Sequence, residues 1–484
     1  MSNALAGLKP EPIWRYFGEV SSIPRGSKNE AAVARHVLET AQRLGLEAKQ
    51  DAAGNVLVKK PASRGREMVR SICLQGHLDM VCEKNAEKVH DFTKDPIELV
   101  RKDNILMADG TTLGADNGIA IATMLAVMEN TGLEHGPLEL LFTVDEETGL
   151  TGAGSLQPDS LGSRTLLNLD SEEEGILYVG CAGGKETTGK WKLDLQAPVG
   201  KVAAVEIRVK GLRGGHSGLD IDKGRGNAIG ILNRVLLRLA EIGARVTSLR
   251  GGNKRNAIPR EAEALVFLTK DKVRKAGKLV RELEETFKAE VSSVDPELAV
   301  TMTVLGEKEG KVLSRPLQKK ILQTISALPH GVIKMSADIP GLVETSTNVA
   351  VITTGDESIT LATSQRSSVA SEIQEIGETV ASVLALGGAE VEAGSGYPGW
   401  KPNLESEILR VARSTYSALY GKEAQVKAVH AGLECGIIGE KFPGMDMVSL
   451  GPTLEAVHSP EEKIYIDTVE RFWDYLLEIL QRIQ

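Results

Sequence analysis

Long apolar runs are missing from this 484-residue chain. No stretch reaches the roughly 20 apolar residues that a membrane-crossing helix needs. The amino terminus, MSNALAGLKPEPIW, lacks the charged-then-apolar order of a secretion signal. Cysteine is scarce as well. Cys73, Cys82, Cys181 and Cys435 have no close-paired zinc spacing and read as buried thiols in a reducing cytosol. Positive charge is not in excess: the net charge is -9, which disfavours a general nucleic-acid or acidic-membrane partner. Basic clusters such as Lys254-Arg255 and Lys319-Lys320 are short, and no basic surface is interleaved with aromatics. A cytoplasmic protein without nucleic-acid or membrane partners is expected.

What the chain does have is the composition of a folded protein, 42% apolar and 25% charged. Its length exceeds one ordinary core, so at least two domains are expected. The first part alternates helices and strands. Ser27 is positioned to cap a helix near 29–44. Apolar runs ending at His77, following Leu138 and ending at Asp170 read as strands covered on both faces. From about 185 to 393 the texture becomes α+β, with alternating strands such as VAAVEIRVKG and amphipathic helices near 227–242, 273–289, 317–327 and 372–386. This segment reads as an inserted lid of two similar halves, without a residue-level repeat. GSGYPGWKP marks the return. The expected layout is a catalytic α/β domain from 1–184 and 394–484, with a mixed sheet flanked by helices, around an α+β insertion at 185–393.

Five metal-ligand types fall in order along the catalytic parts: His77 of HLD, Asp116 of TTLGADNG, the Glu146-Glu147 pair, Asp170 of NLDSEEEG and His458 of AVHSP. Two imidazoles and three carboxylates suit two divalent cations, which polarise a carbonyl and generate hydroxide near neutral pH. Each residue alone has a plainer reading. His77 could be a surface histidine, Asp116 a helix N-cap, and the glutamate pair a solvated acidic turn. The set is more specific, because His77, Glu147 and Asp170 follow strand ends, where open α/β sheets build their sites. On an extended strand end, Asp79 faces the same way as His77 and can fix its tautomer from behind. One glutamate can ligate while its neighbour serves as general base.

These residues resemble a known family. HLDMV, TLGADNG, NLDSEEEG, CAGG, GGHSG, RNAIPREA, HAGLECG, MDMVSLGPT and HSP are similar to the bacterial aminoacyl-histidine dipeptidases, also called peptidase D or cytosolic non-specific dipeptidases. That family belongs to the di-zinc superfamily of carnosinases, peptidase T, peptidase V and aminoacylases. The likeness runs from about Trp14 to Trp473; HDFTKDPI and HAGLECG mark the dipeptidase branch.

The resemblance implies a dipeptidase of broad specificity, Xaa-His dipeptides included, holding two Zn2+ that Co2+ or Mn2+ can replace. It assigns His77, Asp116 and Asp170 to one metal and Asp116, Glu147 and His458 to the other. Glu146 is the general base acting on a metal-bridging water, and Asp79 orients His77. His216 of GGHSG stabilises the oxyanion; Asn256 and Arg366 grip the substrate's backbone and carboxylate. His216 and Arg366 could instead be a turn histidine and a surface arginine, while His430 and Glu434 could line the pocket or only support it. Relatives carry an uncharged residue where Asp145 stands, and an acid there could perturb the base. An N-acyl-amino-acid deacylase or tripeptidase is the alternative enzyme, and an inactive peptide-binding protein the alternative class. A homodimer is compatible with the sequence and not required by it.

Overall fold

The computed structural model describes residues 3–484. The chain forms two compact units. The first comprises the residues up to Gly180 with Pro402–Ala428 and Leu433–Gln484, and the second Cys181–Lys401 with Val429–Gly432. The chain thus leaves the first unit a few residues before 185, re-enters it at Pro402, and returns Val429–Gly432 to the second.

Among the described residues, the first unit is built on an eight-stranded sheet. Its middle holds four parallel strands in the order Leu138–Thr143, Ile72–His77, Thr165–Asn168 and Asp446–Ser449. The first two are buried at every position, Gln75 and Glu139 included, as strands covered on both faces are. After Ile72–His77 the chain adds one neighbour on one side, then the next on the other. The carboxyl ends around His77 therefore open at a topological switch point, where the two departing connections leave a crevice. Helix Ala115–Glu129 is buried almost throughout, and helix Ile466–Arg482 lays a buried apolar stripe from Val469 to Leu480 on the core. A separate four-stranded sheet contains a hairpin of Leu454–Glu455 and Lys463–Tyr465. The loop of this hairpin carries His458.

Ser27 does not cap the helix. Helix Ala31–Arg43 starts after Glu30 without a side-chain cap, and Ser27 Oγ donates instead to Asp79 Oδ2 at 2.8 Å.

The second unit contains two halves with one β-α-β-β-α-β order. The first runs through Val202–Lys210, Ala228–Glu241, Arg245–Gly251, Ala262–Thr269, Val273–Val291 and Ala299–Gly306. The second runs through Gly183–Lys192, Arg315–Ala327, Val343–Thr354, Ser358–Ser367, Ala370–Leu386 and Glu390–Ala393. In each, the fourth strand lies beside the first, the first beside the third and the third beside the second. The second strands join the halves edge to edge, with Arg250 opposite Thr353 and Gly251 opposite Ile352. One apolar core, including Trp191, Val205, Leu236, Val266, Ile352 and Leu384, lies beneath both.

Candidate active site

His77 ends the central strand and is buried. Its Nε2 lies 3.1 Å from Asp116 Oδ1 and 3.3 Å from Asp170 Oδ1. The other oxygen of Asp116 faces a different group: Oδ2 is 3.1 Å from His458 Nε2, which is 3.0 Å from Glu147 Oε2. Ligand atoms of His77, Asp116 and Asp170 all lie within 4.8 Å of one another, as do those of Asp116, Glu147 and His458, and those of His77, Glu146 and Glu147. The sheet's carboxyl edge, the hairpin loop and the start of helix Ala115–Glu129 thus bring the five sequence-predicted ligand types into one cluster.

The charges of this cluster are unbalanced. Burial works against a charged His77, yet Asp170, Asp116 and Asp79 outweigh it and hold the imidazole well above its ordinary range. Hydrogen bonds to Asp116 and Glu147 push His458 up to about 11. Burial pushes Asp170 up to about 6 against the pull of His77, with Asp116 and Glu147 adding repulsion. Protons collect where carboxylates crowd, and cations would meet the same demand. Glu147 Oε1 is buried and has no hydrogen-bond donor among the described residues, and Asp170 Oδ1 meets only the His77 ring at 3.3 Å. Imidazole nitrogens with spare, buried carboxylate oxygens are the donor set that divalent transition metals accept, so these groups could hold metal.

Glu146 begins the short helix Glu146–Gly149. Burial raises its carboxyl well above the ordinary range; His77 opposes this, while Asp170, Glu434 and Glu147 add to it. Asp145 is not among these influences. Its carboxylate is engaged elsewhere, accepting from the hydroxyls of Thr148 and, at 2.6 Å, Thr151. Asp145 stands at the N-cap position of this helix without a side-chain bond to its amides.

Asp79 does more than sit behind His77. Its Oδ1 is 3.3 Å from His77 Nδ1 and accepts from the amide of Glu146 at 3.0 Å, while Oδ2 accepts from the amide of Glu147 at 3.2 Å. Below the ligands runs a buried polar belt that sequence reasoning missed. Asn168 Nδ2 donates to Gln75 Oε1 at 2.6 Å, and Gln75 Nε2 donates to Glu434 Oε2 at 2.6 Å. Thr143 Oγ1 donates to the same oxygen at 2.6 Å. Gln75 stands two residues before His77 on the same strand, hence on the same face, and Asn168 ends the strand that leads to Asp170. Burial pushes Glu434 up to about 7. Its Oε2 lies inside this belt, bonded to both Gln75 and Thr143.

The second unit holds the other expected residues. His216 pairs with Ala257 across a short ladder, and Ser217 N donates to Asn256 O at 2.8 Å, so the His216 and Asn256 segments are adjacent. Asn256 is exposed. Arg366 is buried and donates from Nε to Ser217 Oγ at 3.2 Å and from Nη1 to the Tyr397 hydroxyl at 3.0 Å; its Nη2 is 3.4 Å from His216 Nε2. Burial, with Arg366 nearby, pushes His216 down to about 4. Its Nδ1 accepts from the amides of Gly218 and Leu219 at 3.2 and 3.1 Å, which leaves the proton of the neutral ring on Nε2. His430 is buried with Nε2 2.7 Å from Ser346 Oγ. Ser217 and Tyr397 were not singled out in the sequence; Ser217 adjoins His216 in GGHSG, and Tyr397 was hidden in a segment that reads as a hinge.

The model of peptidase family M20/M25/M40 matches residues 73–482. The chain belongs to this family and is a peptide-bond hydrolase. It is 40% identical over 480 residues to the cytosol non-specific dipeptidase of Escherichia coli (strain K12), covering 99% of each chain. The crystal structure of aminoacylhistidine dipeptidase from Vibrio alginolyticus matches with a TM-score of 0.91 at 40% identity, over 99% of this chain and 98% of that one. The aminopeptidase PepT structure from Bacillus cereus ATCC 10987, at 17% identity and a TM-score of 0.57 over 98% and 99% of the two chains, shares the fold.

Proposed function

We propose that this chain is a cytosolic dipeptidase of broad specificity, cleaving Xaa-His dipeptides among others, with two divalent cations in the cluster around Asp116. The observation that carries the reading is the division of Asp116: Oδ1 faces His77 and Asp170, Oδ2 faces His458 and Glu147. One carboxylate can then serve two cations, with His77 and Asp170 completing one set and His458 and Glu147 the other. Zn2+ suits these ligands, and Co2+ or Mn2+ can take its place. When bound, such a pair polarises the scissile carbonyl and lowers the pKa of water.

The residues of the chain supply the rest. Glu146 takes a proton from the attacking water at its carboxylate and returns it to the leaving amine. Its burial, which moves its pKa upward, suits a group that must both accept and give. Asp79 fixes the ring of His77 and the amides of both glutamates. Neutral His216 offers Nε2–H to the oxygen that becomes negative in the tetrahedral stage. Arg366, held by Ser217 and Tyr397, grips the free carboxylate of the substrate, and Asn256 its backbone. Agreement at 40% identity over nearly the full length of two dipeptidases supports this choice of substrate.

Metal analysis combined with a substrate panel tests the proposal. Two metals per chain are expected, with hydrolysis of Xaa-His and other dipeptides that a chelator abolishes and Zn2+, Co2+ or Mn2+ restores. Preference for tripeptides or N-acyl amino acids would replace the dipeptidase reading by the corresponding hydrolase. Binding without turnover in metal-replete buffer would overturn catalysis altogether.

A further inference from the structure

The turn Leu113–Asp116 delivers the aspartate that faces both ligand groups. All four of its backbone amides donate to one side chain. Glu462 Oε2 accepts from Leu113 N at 2.8 Å and Gly114 N at 2.9 Å; Oε1 accepts from Ala115 N at 2.8 Å and Asp116 N at 3.2 Å. Successive amides converging on an anion form a strong binding concavity, and here the anion is part of the chain. Glu462 itself is buried and belongs to the hairpin loop that carries His458.

A cation holds the carbonyl side of the same turn. Buried Arg25 donates from Nη2 to the carbonyl of Gly114. Its Nη1 donates to the carbonyls of Leu78 at 3.0 Å and Asp79 at 2.8 Å, just beyond His77. The turn therefore lies between an acid on its amides and a base on its carbonyl, an arrangement that favours the aligned peptide dipoles. The glycines of TLGADNG fit the same contact. Gly114 has φ +67°, and a Cβ there would lie 2.6 Å from Arg25 Nη2; at Gly118 the distance would be 2.7 Å. A side chain at either position would displace the guanidinium.

We infer that Arg25 and Glu462 are positioning residues that fix the Asp116 turn in its metal-accepting shape before a cation arrives. The clamp joins three segments that each deliver a ligand: the end of the His77 strand, the Asp116 turn and the His458 loop. The inference rests on the two-cation reading of the site. It goes further in assigning affinity to two charged residues that touch neither cation.

Two measurements test it. The first is amide hydrogen exchange on the metal-stripped wild-type protein. Amides 113–116 should be protected like those of the central strands; exchange as fast as in exposed loops would overturn a preformed turn. The second is metal titration against a competing chelator. Glu462→Gln points an amide group at backbone N–H donors, and Arg25→Lys keeps the charge but loses the fork that reaches three carbonyls. Each should raise the metal dissociation constant by about 10- to 100-fold. At saturating metal, kcat for a dipeptide should fall while KM stays the same.

Glu139→Gln is the control. Glu139 is another buried carboxylate that accepts backbone amides, from Gly162 at 3.0 Å and Ser163 at 2.8 Å, away from the turn. It should destabilise the fold and leave metal affinity unchanged. Wild-type affinity in both clamp variants, or an equal loss in Glu139→Gln, would reduce Arg25 and Glu462 to general stability roles. If wild-type protein takes up no cation, the two-cation reading fails, and the exchange data still decide whether the turn is preformed.

Discussion

Asp79 Oδ1 serves two partners at once: it accepts the backbone amide of Glu146 at 3.0 Å and lies 3.3 Å from His77 Nδ1. The proposed base and a proposed ligand are thus referred to one buried oxygen. Replacing Asp79 by Asn places an amide group where the carboxylate meets these donors. Asp79→Asn should lower metal affinity by about 10- to 100-fold and turnover with it. Metal content after dialysis against a graded chelator measures this, and wild-type retention would separate Asp79 from the metal site.

Asp116→Ala should lose both metals and nearly all activity, because each oxygen faces a different ligand set. His458→Ala should chiefly weaken one metal. Elemental analysis of the purified variants distinguishes them. Two metals per chain in Asp116→Ala would sink the shared-ligand assignment.

Glu146→Gln should keep metal and fold while turnover falls by at least the roughly 10²–10⁴-fold typical of a general acid–base group. If its metal content drops as far as that of Glu147→Gln, the two glutamates share or exchange their roles.

Arg366→Ala should raise KM and lower kcat/KM for dipeptides, since a grip on the remote carboxylate also orients the scissile bond. A dipeptide amide should lose much less. Equal losses on acid and amide would mean that Arg366 acts through the packing of Ser217 and Tyr397.

Stability of the second unit should depend on His430. Burial, with Arg366 and His216 nearby, pushes this imidazole down to about 3, below its ordinary 6.5. The unfolded chain therefore binds the proton more readily than the folded one. The stabilising contribution is complete above about pH 6.5 and is lost as pH falls towards 3, at about 1.4 kcal/mol per pKa unit. Thermal melts from pH 8 to 4 should decline less steeply in His430→Gln than in wild type. Parallel declines would show that other groups govern the acid response.

The parts of the fold legible in the sequence were those with strong local texture. Mostly apolar runs located Ile72–His77 and Leu138–Thr143, and the 3.6-residue pattern located helices such as Ala228–Glu241 within a residue or two. The hairpin of Leu454–Glu455 with Lys463–Tyr465 has strands too short to show alternation. Ser27 carried a capping signal, but the nearby Asp79 carboxylate competed for its hydroxyl. The ligand types stood out because acids following apolar strands are conspicuous. Arg25, Glu462, Ser217 and Tyr397 did not, since their partners lie far away in the chain and their local surroundings are ordinary.

The order in which the chain is made adds one more consequence. Four of the five proposed ligands lie between His77 and Asp170, and the fifth is His458, about 290 residues later. The strand Asp446–Ser449 that pairs in parallel with Thr165–Asn168 is equally late. At the usual pace of translation this interval lasts roughly 15 to 60 s. For that time the emerging amino-terminal segment holds Asp116, Glu146, Glu147 and Asp170 without the His458 loop and without Glu462 on the Asp116 turn. The group of His77, Asp116 and Asp170 is then already made, while the group of Asp116, Glu147 and His458 waits for its histidine, so the two halves of the site are completed at different times.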